Sequence, residues 1–303
     1  MADNYKAVSD IAAKHLGQVG GAGYSDSYDP SLLVPIPRQL NREAYGIKEG
    51  NLPFVGADTW NAYEVSAITK KGLPVSGMLK IVCDAESKFH IESKSIKLYL
   101  NSFNMTQMGN NTIECVREIE TRVARDLSER LESNVNVTMF MDERDGDEFV
   151  FDGFDDLRAL ADLDSVNFDV FHSDESILKS SRNLSYARTF KFKSDLLRSN
   201  CRVTNQPDWG DVFVKIVGKN EPDYEAVAKY IVSHRKVNHF HEEICEMVFT
   251  HLMKAYEPED LMVACLYTRR GGIDINPIRA TSADMIPDEF TNSTHRIKKT
   301  LRQ

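Results

Sequence analysis

The stretch Tyr63-Glu64-Val65-Ser66-Ala67-Ile68 alternates apolar and polar residues, breaks at Lys70-Lys71-Gly72-Leu73-Pro74, and resumes as Gly77-Met78-Leu79-Lys80-Ile81-Val82. Two period-two runs around a Gly- and Pro-containing break predict a β-hairpin. The residues after it change period. A helical segment is expected over about 93–103, and a second over about 112–131. In the second, Ile113, Val116, Ile119, Val123, Leu127 and Leu131 recur at three- and four-residue steps as a buried stripe. Val135, Val137 and Met139 then alternate as a strand. Hairpin, helix, helix, strand is the order of an antiparallel sheet with two helices on one face, an α+β module.

Downstream the plan repeats. Phe190 and Phe192 mark one strand, and Val212, Val214 and Ile216 the next. Helices are expected over about 223–235 and 240–256, and Leu261, Val263, Cys265 and Tyr267 alternate in a further strand. An offset of about 131 residues brings Tyr99 onto Tyr230 and Ile113 onto Ile244. It brings Cys201 onto Lys70, and the polar run that opens at Glu92 onto Asp223 and its less polar successors. Each half keeps what the other lacks, which points to one composite site between modules. The expected division is an extended lead-in over 1–56, a first module over 57–141 and a solvated acidic linker over 142–186. A second module over 187–280 and a partly disordered tail with a basic end over 281–303 complete it. Asp145-Gly146-Asp147 in the linker lacks the ligand ladder of a calcium loop.

The 303 residues fit two modules, and 42% hydrophobic with 27% charged residues is the balance of a globular protein. No apolar run approaches the ~18 residues of a membrane span. The opening Met-Ala-Asp-Asn-Tyr-Lys has no basic region leading into an apolar core, so a cytoplasmic location is expected. Five cysteines without metal-ligand spacing suggest reduced thiols and no metal. A net charge of −9 argues against direct nucleic-acid binding. An anionic cofactor would need a local cluster of cations.

Such clusters exist. Glu92-Ser93-Lys94-Ser95-Ile96-Lys97 opens a helix with hydroxyls and two cations, suited either to a phosphate at the helix N-terminus or to a capped surface helix. Thr268-Arg269-Arg270-Gly271-Gly272 offers either bidentate phosphate contact or a Gly-Gly turn. Cys201 precedes Gln206-Pro207-Asp208-Trp209-Gly210, which would set a thiol nucleophile beside a proton donor; a buried free cysteine is the alternative. His241-Glu242 opens the last long helix, either as a proton carrier and a carboxylate for N–H donors or as part of a helix cap. Glu243 suits the capping role better than Glu242.

Together, from about Trp60 to Arg279, these motifs resemble the NADPH-dependent 7-cyano-7-deazaguanine reductases of tRNA queuosine biosynthesis, in their two-module form. The resemblance implies tandem tunnelling-fold modules that assemble into barrels, and a homodimer is expected from the open sheet edges. It implies reduction of a nitrile to a primary amine with two NADPH. Cys201 would form a covalent thioimide, Asp208 would protonate the nitrile nitrogen and assist the thiol, and His241 would move protons. His90, Ile91, Glu92, His241 and Glu242 would hold the deazaguanine; Ser93, Lys94, Lys97, Arg270 and Gly271 would bind NADPH. Where several relatives carry a second cysteine after the helix-start Glu, this chain has Ile244, followed by Cys245. Two rivals stand beside this: a Cys-dependent nitrile hydrolase, and a purine- or pterin-binding protein without catalysis.

Overall fold

The structure is a computed structural model that describes residues 27–48, 50–141 and 150–303. The expected hairpin is β2 (Val55–Ile68) and β3 (Pro74–Asp84), preceded by the short β1 (Pro35–Pro37). Gly72 turns the hairpin at φ 83°, a left-handed conformation that glycine adopts without a Cβ penalty. After β4 (Phe89–Ile91) come two helices, Ser93–Asn101 and Thr112–Leu131, and then β5 (Val135–Phe140). Glu92 and Asn111 cap them, accepting from Ser95 N and Glu114 N. The second half runs β6 (Asp155–Asp156), β7 (Ser180–Ser194), β8 (Arg198–Cys201) and β9 (Pro207–Pro222), then helix Tyr224–Ser233 and β10 (Asn238–His239). Helix His241–Tyr256, β11 (Asp260–Tyr267) and β12 (Ile273–Ala280) complete it.

The long strands form one antiparallel sheet in the order β7-β9-β11-β12-β2-β3-β5. The modules meet in its middle, where β12 pairs β2 from Ile273 opposite Ala62 to Ala280 opposite Val55. One face carries the helices over two apolar clusters, one around Trp60, Ile81, Tyr99 and Val123, the other around Val214, Tyr230, Phe249 and Tyr267. This is the α+β arrangement expected, with one correction inside the stripe. Ile113 is 65% exposed, Val116 is half-buried, and Cys115 takes the inward position in the first turn. The offset explains the discrepancy. It relates the Ser93 and Tyr224 helices in register, but the Thr112 and His241 helices start two residues out of step.

The reverse face of the sheet is also buried, which the alternation alone did not foretell. Ala57, Val82, Phe213, Met262, Leu266 and Ile278 pack there under Phe151 and Phe290. Residues 142–149 of the expected acidic linker, like Asp145-Gly146-Asp147 within it, lie outside the described residues. Over 150–186 the chain is not a solvated tether: Phe151 stacks on Phe213 at 4.2 Å, Leu157 is buried, and β7 begins at Ser180. The tail is likewise docked. The ammonium of Lys80, buried in β3, donates to the carbonyls of Glu289, Asn292 and His295. Apolar surface on the sheet and a buried cation supplied partners that the polar composition of these segments concealed.

A buried ionic cluster ties the lead-in to both modules. Arg38 and Arg279 hold Asp58 of β2 at 2.5 and 2.8 Å, and Arg279 and Arg42 hold Glu246 of the His241 helix at 2.8 and 2.7 Å. Burying charges is tolerable only when each is paired, and here every member has a partner of opposite sign.

Candidate active site

β8 and β9 form a tight hairpin in which Ser199 faces Asp208 and Asn200 faces Pro207. The Cys201 N–H donates to the Gln206 carbonyl at 2.8 Å. Side chains alternate across a strand, so Cys201, Gln206 and Asp208 share one face, Cys201 and Asp208 as diagonal neighbours. β10 pairs in parallel with β8, His239 opposite Cys201. The chain therefore enters the His241 helix directly beside the thiol.

This face opens into a cavity of about 400 Å³ lined by residues of both modules. The first contributes Ile91, Ser93, Lys94, Lys97 and Leu98; the second contributes Cys201, Gln206, Asp208, Phe240, His241, Glu242, Arg270 and Gly271, among others. Cys201 is half-buried, whereas Cys83, Cys115, Cys245 and Cys265 are fully buried. The Cys245 sulfur lies 3.5 Å from the Val263 carbonyl and 3.6 Å from that of Pro277, inside the helix–sheet core.

Asp208 is buried yet held by two partners. His241 Nε2 lies 3.4 Å from Oδ2, and Arg270 donates from Nη1 to Oδ1. Burial pushes its carboxyl up, but the hydrogen bonds and charges of His241 and Arg270 prevail and hold it below the ordinary range. His241 is fixed by stacking on Tyr267, ring centroids 3.9 Å apart at 15°, and its Nδ1 has no partner. Gly210 permits that stack, because a Cβ there would sit 3.1 Å from the Tyr267 ring.

Glu242 is wholly buried and its Oε1 lacks a partner. Burial first, then the nearby Asp58 charge, pushes its carboxyl up to about 7 against the pull of His241 and Arg38. Glu243 takes the capping role, accepting from Phe240 N at 2.6 Å and pairing with Arg202 at 2.7 Å. Buried acceptors are normally satisfied, so an unpartnered carboxylate oxygen on a residue that lines a cavity is suited to N–H donors.

Cations line the same cavity. Ser93, Lys94 and Lys97 of the Ser93 helix border it together with Arg270 and Gly271. Gly271 stands at φ 60°, and a Cβ there would lie 2.9 Å from Lys97 Cδ, so this glycine lets the lysine cross the turn. Three cations beside a helix N-terminus fit a phosphate-bearing cofactor. Among the described residues no group of His, Cys, Asp or Glu could hold a metal ion.

Two of the expected residues stand behind the cavity wall. Glu92 caps the Ser93 helix through Oε2, 2.9 Å from Ser95 N. His90 is buried, neither ring nitrogen has a partner, and its ring packs against Phe240 at 4.5 Å. Sequence reasoning assigned no role to Gln206, Phe240 or Tyr267. Gln206 opens the stretch Gln206-Pro207-Asp208-Trp209-Gly210, and its position opposite Cys201 in a two-strand turn is the signal that marks it.

The chain is similar to known proteins over most of its length. Residues 24–139 match a family described as nitrile reductase, 7-cyano-7-deazaguanine-reductase N-terminal, and residues 207–285 match one described as QueF-like protein. The first match begins well before Trp60, so residues 24–56 of the lead-in belong to the similarity. The NADPH-dependent 7-cyano-7-deazaguanine reductase of Psychrobacter cryohalolentis is 40% identical over 270 residues, 87% of this chain and 93% of that protein. The enzyme of the same name from Legionella pneumophila is 40% identical over 266 residues, 88% and 89% of the two chains. A crystal structure of an archaeosine synthase QueF-Like in the apo form covers 33% of this chain at 17% identity, with a TM-score of 0.28.

Proposed function

The chain belongs to the NADPH-dependent 7-cyano-7-deazaguanine reductases, and from that premise we propose how its own residues carry the reaction. The activity is reduction of the nitrile of 7-cyano-7-deazaguanine to a primary amine, with NADPH supplying the hydrides. Cys201 is the nucleophile. Its S–H proton passes to the Asp208 carboxylate and on to the nitrile nitrogen as the C–S bond forms and one C–N π bond opens. The resulting thioimide accepts hydride better than a nitrile, dividing one hard step into easier ones. His241, fixed on Tyr267 and against Asp208, relays protons to the nitrogen.

Glu242 receives the N–H donors of the deazaguanine edge through its unpartnered oxygen, with Ile91 lining the cavity and His90 behind it. Glu92 contributes by fixing the helix start. Ser93, Lys94, Lys97, Arg270 and Gly271 hold NADPH at its phosphates. The observation that carries this assignment is the single cavity joining Cys201, Asp208, His241 and Glu242 of one module to the cationic helix start of the other.

The net charge of −9 supports a small-molecule substrate over a nucleic acid. Reduced thiols support a cytoplasmic setting, and no described helix is long and apolar enough to cross a membrane. The β5 edge of the sheet supports closure by a second copy into a dimer.

Incubation with the nitrile, without NADPH, should raise the protein mass by one substrate, mapped to Cys201. Cys201→Ala should abolish the adduct. An adduct that survives, or maps to Cys245, overturns the assignment.

A further inference from the structure

Arg270 spans two acceptors at the start of β9, donating from Nη1 to Asp208 Oδ1 in the strand and from Nη2 to Gln206 Oε1 just before it. The carboxylate it holds is buried, while the arginine side chain is 31% exposed, so Arg270 is the partner able to leave. It precedes Gly271 and Gly272, both at positive φ, on a turn closed by the Arg270–Ile273 bridge. The same guanidinium lines the cavity with Lys94 and Lys97, the cations assigned to the cofactor. A guanidinium forked onto a phosphate turns its N–H groups along the phosphate oxygens and cannot keep both Asp208 and Gln206.

We propose that Arg270 is a cofactor-dependent switch on Asp208. Paired with Asp208, it keeps a carboxylate ready to take the Cys201 proton; drawn onto a phosphate of NADPH, it frees Asp208 to retain a proton and deliver it. This rests on the proposed placement of the cofactor beside Arg270. Adduct formation needs no net proton, since the thiol proton ends on the nitrile nitrogen. Each hydride addition that follows consumes one proton, which a protonated Asp208 supplies and solvent restores. The groups facing Asp208 are Arg270 from the turn, His241 and Glu242 from the helix, Tyr267 from β11, and Cys201 and Gln206 from the hairpin. Burial pushes the Asp208 carboxyl up, and His241 and Arg270 oppose it, so withdrawal of Arg270 lets burial gain.

The test is the rate of Cys201 adduct formation with the nitrile, by intact mass, from pH 4 to 8, with and without saturating NADP⁺, which carries the phosphates but no hydride. Without NADP⁺ the wild-type rate should stay flat down to pH 4, because Asp208 is held below the ordinary carboxyl range; with NADP⁺ an acidic limb should rise into the window, since loss of an adjacent opposite charge shifts a carboxyl by roughly 1–3 units. In Arg270→Gln the limb should already be displaced and should not respond. Arg270→Lys keeps a charge but cannot span both acceptors, and should fall between. A wild-type profile unmoved by NADP⁺, or one that moves equally in Arg270→Gln, overturns the switch. Calorimetric titration with NADP⁺ separates the two levels. Undiminished binding by Arg270→Gln removes Arg270 from the cofactor site, whereas weakened binding with an unmoved wild-type profile removes only the switch.

Discussion

Glu242→Gln should stabilise the protein at alkaline pH while weakening its binding of 7-cyano-7-deazaguanine. The Glu242 carboxyl is buried, has an oxygen without a partner, and is pushed up to about 7, chiefly by burial and then by Asp58. In the unfolded chain it releases its proton near the ordinary value of 4.5. Between these values the native state holds a proton that the unfolded state has lost, so stability falls as pH rises through that window. Above about 7 the full cost of the buried charge is present, about 3 kcal/mol for a shift of this size. Glutamine keeps the shape and removes the charge. Unfolding entropy of about 2.1 cal/mol/K per residue turns that energy into a rise in Tm of about 5 °C for a chain this long. Scanning calorimetry at pH 4.5 and pH 8 should show the variant matching the wild type at the lower pH and exceeding it at the higher. An equal difference at both would show that Glu242 does not carry a buried charge and would refute the electrostatic reasoning.

Asp208→Asn removes the proton carrier without changing the hairpin, and adduct formation should slow by roughly 10²–10⁴-fold in stopped-flow mass measurements. Gly210→Ala drives a Cβ against Tyr267; it should cost about 1–3 kcal/mol by denaturant unfolding and lower kcat more than it raises KM, by tilting His241. Glu246→Gln breaks the buried cluster around Arg279 and Arg42 and should destabilise by about 3–5 kcal/mol, with the adduct still mapping to Cys201.

The two-module plan was legible because its helices and strands carry local periods that tertiary packing did not override. The Glu92 helix start was legible too, by its polar run, whereas the caps at Asn111 and Asp223 emerge from the structure. What escaped was burial decided by distant partners. Phe290 lies among polar neighbours and Phe151 in a short apolar run inside an acidic stretch, and only Phe213 and the reverse face of the sheet explain them. Lys80 was a clue in plain view, a cation inside an apolar strand that demanded carbonyl partners. In the cavity, Cys201, Asp208 and Glu242 could be singled out by chemistry. The fork of Arg270 over Asp208 and Gln206 could not, because a turn 62 residues downstream of Asp208 brings it there.

The seam between β12 and β2 has a consequence for how the chain is made. β2 leaves the ribosome early, but its partner strand comes roughly 200 residues later, about 10–40 s at usual elongation rates. Until then the Val55–Ala62 side of the nascent sheet is an unpaired edge, the kind of backbone that recruits other strands. The last strand of the core thus closes the first, and completion of the site waits on the emergence of β12. Dependence on nascent-chain chaperones should accordingly fall on the interval before Ile273 emerges.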